Sequence, residues 1–141
     1  ALATVVRLNE KRNREPLTEA EERLIEDRKR RYDEHLEGMR RLLEMGAKMV
    51  AGSDSPWMDY APGGFVHEIQ ALAEAGMSNT RAIIAGTSDA AESIGLGTVS
   101  GYIKPGRAAD ILVVNGNPAE DLNSLWNVLD VYQNGNRLQR T

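Results

Sequence analysis

The sequence predicts an α/β chain that gives way, near residue 96, to a small β part. Three observations carry this. A β-rich start (residues 1–8), a long amphipathic helical pattern and an apolar stretch ending at Asp54 read in order as a βαβ unit, with the crossover length that a parallel strand pair requires. Beyond Gly97 helical periodicity is replaced by short β-rich runs around an Asn134-Gly135 turn. Hydrophobic residues make up 41 % and charged residues 27 %, a balance that suits a packed globular core rather than a disordered tail.

The first third of the chain is charge-dense: twelve of its seventeen basic and eleven of its twenty-one acidic residues fall within residues 1–49. Thr18-Glu19-Ala20-Glu21 has capping-box spacing. Leu24, Ile25, Tyr32, Leu36, Met39, Leu42 and Leu43 then recur at helical intervals, so a helix is expected over 18–45, closed by Gly46. The run Arg28-Lys29-Arg30-Arg31 is interleaved with Glu26, Asp27, Asp33 and Glu34, which marks a solvated helix face rather than a nucleic-acid patch. Residues 47–54 read as a buried parallel strand that stops at a polar rim. A loop from Ser55 to Gly64 follows. Trp57, Tyr60 and Phe65 place three of the seven aromatics within nine residues there, for recognition or to plug the end of a core. Helices are expected from Val66 to Ala75 and from Thr80 to Ile94, then a strand ending at Val114, a short helical turn at Leu122–Trp126, and a hairpin about Asn134-Gly135.

Composition excludes several function classes. Without cysteine there are no disulfides, thiolate metal sites or cysteine nucleophiles, and any metal must use O or N ligands. A net charge of −4 with few aromatics argues against a nucleic-acid platform. Apolar runs such as Ile111–Val114 are far too short for a bilayer span, which needs about 20 residues. The chain begins without Met inside a β-rich stretch and reads as one entered midway, so a signal or transit sequence upstream in a longer parent would be invisible here; the location is left open, with the cytoplasm favoured.

Asp54 is the carboxylate that stands at a strand's C-terminal end beside the aromatic loop, where α/β enzymes place their chemistry. A turn former or helix cap is the alternative reading of such an Asp. His67 and Glu68 are adjacent on a helix and diverge in direction, so they make a poor acid–base pair. His35, within the charged helix, reads as a surface residue. The Gly95, Gly97 and Gly101 cluster lacks the strand and helix that a phosphate loop needs.

Taken in order, Gly46 to Asp54, His67-Glu68-Ile69, Glu74 to Ser78, Gly86 to Gly95, Gly101 to Val114 and Gly116-Asn117-Pro118 resemble the C-terminal part of the metal-dependent amidohydrolase superfamily, particularly its imidazolonepropionase- and prolidase-like branch. The resemblance covers about residues 46–137. It implies the last two strands and helices of a (β/α)₈ TIM-type barrel over residues 1–97, and part of a small flanking β-sandwich over 98–141. Asp54 then matches the family carboxylate that binds a divalent metal, zinc by default, and shuttles a proton from metal-bound water to the leaving amine. His67, with Trp57 and Tyr60, would border the substrate pocket; a structural histidine is the alternative for His67.

The sequence also departs from that pattern. The family's His-x-His, its carboxylated Lys or Glu and its further histidines have no counterpart here, and two histidines in all cannot complete the usual metal site. Residues 9–17 look like a variable loop over the active site. The resemblance thus implies a C-terminal fragment of an enzyme cleaving C–N bonds in an amide, cyclic amide or dipeptide. Its expected partners are that small-molecule substrate, the remainder of the barrel and further copies in a homo-oligomer, with no nucleic acid and no membrane. A binding or scaffold module that keeps only the fold, or a helical interaction protein built on residues 18–45, are the competing readings.

Overall fold

The computed structural model describes residues 8–54 and 63–139, which fall into two compact units. Residues 8–47, 54 and 63–64 form the first; residues 48–53 and 65–139 form the second.

The first unit is dominated by helix α1, Glu19–Glu44. Its start is the expected capping box: the Thr18 hydroxyl accepts from the Glu21 amide at 3.2 Å, and the Glu21 carboxylate accepts from the Thr18 amide at 2.9 Å. Its end is closed by Gly46 at φ +80, with the amides of Gly46 and Ala47 returning to the carbonyls of Leu43 and Leu42. Ile25 is its one buried residue, packed with Leu8 and Leu17. Along its surface, Asp27 accepts from Arg30 and Arg31 at 2.6 and 2.9 Å, and Glu37 from Arg40 and Arg41 at 2.7 and 3.1 Å. Arg30 and Arg31 of the basic run are thus ion-paired on an exposed face and Lys29 is exposed, as a solvated helix face implies, while Arg28 is half-buried.

One expectation for this region needs correction. Residues 9–17 are not an open loop: residues 8–12 are helical, and Lys11 and Arg12 reach across to Glu21 and Glu22. The first expected strand falls on residues 1–7, outside the described residues, except for Leu8, which is helical.

The second unit carries α2 (Phe65–Glu74), α3 (Asn79–Ala85) and α4 (Ser88–Ser93). The helix expected over 80–94 is broken at Gly86-Thr87. Gly86 is the C-cap of α3 and runs tightly past α2: a Cβ there would lie 3.1 Å from the Ile69 side chain and 3.3 Å from Phe65. Thr87, at φ −127 and ψ −92, then re-aims the backbone into α4. Ile69, Leu72, Ala75, Ala82 and Ala85 make the helical core.

A three-stranded antiparallel sheet follows, β1 (Ile111–Val114), β2 (Val128–Gln133) and β3 (Asn136–Arg137), in the order β1-β2-β3. β1 pairs Ile111 with Tyr132 and Val113 with Asp130, and a bulge lies between Val113 and Val114. The β2–β3 hairpin turns on Asn134 at φ +49 and Gly135 at φ +77, the left-handed pair that a tight primed turn demands. Asp110 ties this hairpin down, accepting from the Asn134 amide at 2.9 Å and the Ser100 hydroxyl at 3.1 Å. A 3₁₀ turn, Leu122–Trp126, packs against both α2 and β1, with Leu122 and Leu125 buried.

Residues 47–54 do not form a strand in the described structure. The segment is anchored through the Ala51 amide to the Ala85 carbonyl at 3.1 Å. An apolar run becomes a strand only beside a laddered neighbour, and no such neighbour stands beside it among the described residues. The partner expected in the βαβ reading is residues 1–8, of which only Leu8 is described.

Candidate active site

Asp54 ends the segment that begins at Gly46. It is exposed, its backbone sits at φ +49, and it makes no hydrogen bond or ion pair with any described residue. The left-handed region is uncommon for a residue with a side chain, although Asp tolerates it better than most, and such positions gather at functional sites. Trp57 and Tyr60 lie outside the described residues.

His67 lies in the second unit, near the start of α2. Its ring meets Trp126 at 4.9 Å between centroids with a 55° tilt. One helical turn on, the Gln70 amide donates to Asn123 at 3.1 Å, and Asn79 donates to the Glu120 carbonyl at 3.0 Å. These contacts clasp α2 and α3 to the 3₁₀ turn. Asp54 and His67 belong to different units, so neither unit by itself brings them together. His35 is exposed on α1.

No three His, Cys, Asp or Glu side chains gather to hold a metal ion among the described residues. A metal centre draws about three or more protein ligands. Asp54 alone does not meet that requirement, so the described residues do not by themselves fit a divalent metal.

A different cluster escapes the sequence reading. Tyr102 donates its hydroxyl to Glu92, which pushes the phenol above its usual range. The Lys104 ammonium lies 4.3 Å above the Tyr102 ring. Arg107 donates to the Thr98 carbonyl at 2.5 Å. Together with Gly95 and Gly97 these residues line an open cleft of about 400 Å³. The available signal was two cations flanking a Pro-Gly turn at Lys104-Pro105-Gly106-Arg107; the partners, ten or more residues upstream in part, follow no local spacing.

The described chain is α/β, with a small three-stranded antiparallel sheet, and about three quarters of it matches part of larger solved structures. It is similar to a crystal structure of a Xaa-Pro dipeptidase with bound methionine in the active site (30 % identity, TM-score 0.67), covering 74 % of this chain and 25 % of that one. A putative prolidase from Bifidobacterium longum matches at 30 % identity and TM-score 0.66, over 74 % of this chain and 26 % of that one. Phenylurea hydrolase B matches at 27 % identity and TM-score 0.62, over 72 % and 26 %. The chain belongs to the amidohydrolase family, whose model matches residues 3–138. It spans about a quarter of the length of these solved relatives. Among curated proteins no sequence matches significantly.

Proposed function

We propose that this chain is the C-terminal portion of a metal-dependent hydrolase that cleaves a C–N bond in an amide, cyclic amide or dipeptide. The observation that carries the reading is the family match over residues 3–138, within which Asp54 closes the Gly-Ala-Lys-Met-Val-Ala-Gly-Ser-Asp motif. Residues 1–97 would belong to the barrel and 98–141 to the flanking β-sandwich.

The role of this chain's own residues follows from their chemistry. A carboxylate is a competent proton carrier: Asp54 takes a proton from the attacking water and delivers it to the leaving amine. Trp57 and Tyr60, with His67 at the start of α2, shape the substrate pocket. A divalent metal, zinc by family likeness, would supply an acidified water in the complete enzyme, with ligands from outside the described residues. The isolated chain, with Asp54 but no metal site among its described residues, is inactive and associates with the remainder of the barrel or with copies of itself.

The test is Asp54→Asn in the complete enzyme. It keeps shape and removes the base, so kcat should fall by at least the roughly 10²–10⁴ that acid–base catalysis contributes, with the melting curve unchanged. A near-normal kcat would refute the assignment.

A further inference from the structure

We propose that the cleft between the end of α4 and the Lys104-Pro105-Gly106-Arg107 turn binds a phosphate group. Lys104 and Arg107 both line it, and neither is ion-paired with any described residue. Pairing is the commoner state of a cation among the described residues, where nine of fifteen Lys and Arg residues hold carboxylate partners.

The negative groups nearby each have a hydrogen-bond or ion-pair partner of their own. Glu92, the one carboxylate lining the cleft, accepts from the Tyr102 hydroxyl, and the upward push on that phenol keeps the proton in place. Asp89, on the same helix, is paired with Arg81. The last carbonyls of α4 are also satisfied, those of Ala90, Ala91 and Glu92 accepting from the Ser93 hydroxyl and the amides of Leu96 and Gly95.

Donors, by contrast, remain in excess. The amides of Gly97 and Thr98, consecutive in the cleft wall, make no hydrogen bond to any described residue. Gly97 keeps the wall bare, because a Cβ there would stand 2.6 Å from Glu92 Cγ. Arg107 uses Nη1 on the Thr98 carbonyl, which fixes the guanidinium, while its Nε is buried without an acceptor. A point-charge ammonium, a fixed guanidinium and successive backbone amides are the donor set that oxyanions select, and a phosphate has the oxygens to use more of them than a carboxylate does.

The experiment uses the full 141-residue chain at constant ionic strength, titrated with inorganic phosphate, glycerol phosphate and acetate. Amide chemical shifts of residues 95–107 and calorimetry read the binding. Saturable binding of phosphate is expected, with shifts concentrated at Gly97, Thr98 and Lys104. Lys104→Gln, at an exposed position, should raise Kd about tenfold with an unchanged circular dichroism spectrum, and Lys104→Arg should retain binding. A tighter Kd for glycerol phosphate identifies a phosphorylated metabolite, and equal values identify the free ion; both support the site. Absence of saturable shifts, an unchanged Kd in Lys104→Gln, or acetate binding as tightly as phosphate would overturn it.

Discussion

Helix α1 and the α2–α4 region reach stability by different means. α1 buries Ile25 alone among its 26 residues and is otherwise held by its cap, by ion pairs three and four residues apart, and by Lys11 and Arg12 reaching Glu21 and Glu22 from ten residues upstream. The second unit joins elements far apart in sequence through apolar contact, with Ile69, Leu72, Ala82 and Leu125 all below a tenth exposed. Exposed ion pairs contribute about 0.2–1 kcal/mol each, whereas fully burying one large apolar side chain contributes about 1.5–3 kcal/mol. The first region is thus many small, mostly local terms and the second a few large non-local ones.

That contrast can be broken by substitution. The largest effect belongs to Leu72→Ala in the second unit, expected to cost about 2–5 kcal/mol. Hydrogen exchange should rise across residues 65–93 and 122–126 and stay unchanged over 19–44; exchange that rises equally in α1 would mean that the two units open together. Gly101→Ala should cost about 1–3 kcal/mol in the same unit. Its Cβ would stand 2.7 Å from that of Ala91, on a backbone at φ +87. An unchanged urea midpoint would count against the close packing described. Thr18→Ala, which removes the α1 cap, should cost about 1 kcal/mol and raise exchange only in the first turn.

The smallest effect is one of pH. Glu21 is lowered from 4.5 to about 2, first by the hydrogen bond from Lys11 and then by the Thr18 amide. Its folded value lies below the unfolded one, so its contribution is present above pH 4.5 and is lost as pH falls through about 2. Lys11 is raised by the same bond, so its share is present below 10.5 and disappears as pH rises through the folded value. Circular dichroism should report fraying of α1 between those acid limits, and Glu21→Gln should flatten the response.

The legibility of each region follows the same physics. The start and end of α1 are readable because capping box and C-terminal glycine are local signals, complete within four residues of the events they control. The hairpin at Asn134-Gly135 is readable for that reason too. The break at Gly86-Thr87 is not, because the apolar period runs on through it and the side chains that leave little room at residue 86, Ile69 and Phe65, lie on another helix. Residues 47–54 have a strand's composition, yet strand structure depends on a neighbour that sequence cannot guarantee. Of the candidate site, the motif ending at Asp54 is legible from residue order, whereas its left-handed backbone and the pairing of His67 with Trp126 are not.

The alanines of the helical core set a limit on how this unit can diverge. Ala75, Ala82 and Ala85 are 1 %, 0 % and 0 % exposed, and α3 packs against both α2 and α4. A buried leucine can drift to methionine or isoleucine at nearly equal volume, with neighbours repacking at a cost under about 1.5 kcal/mol. An alanine in such a contact has no equal-sized apolar substitute. Glycine weakens the helix by about 1 kcal/mol, and any larger side chain must push the helices apart. Over evolutionary time the positions with the least apolar surface to lose are therefore the ones that lineages can change least.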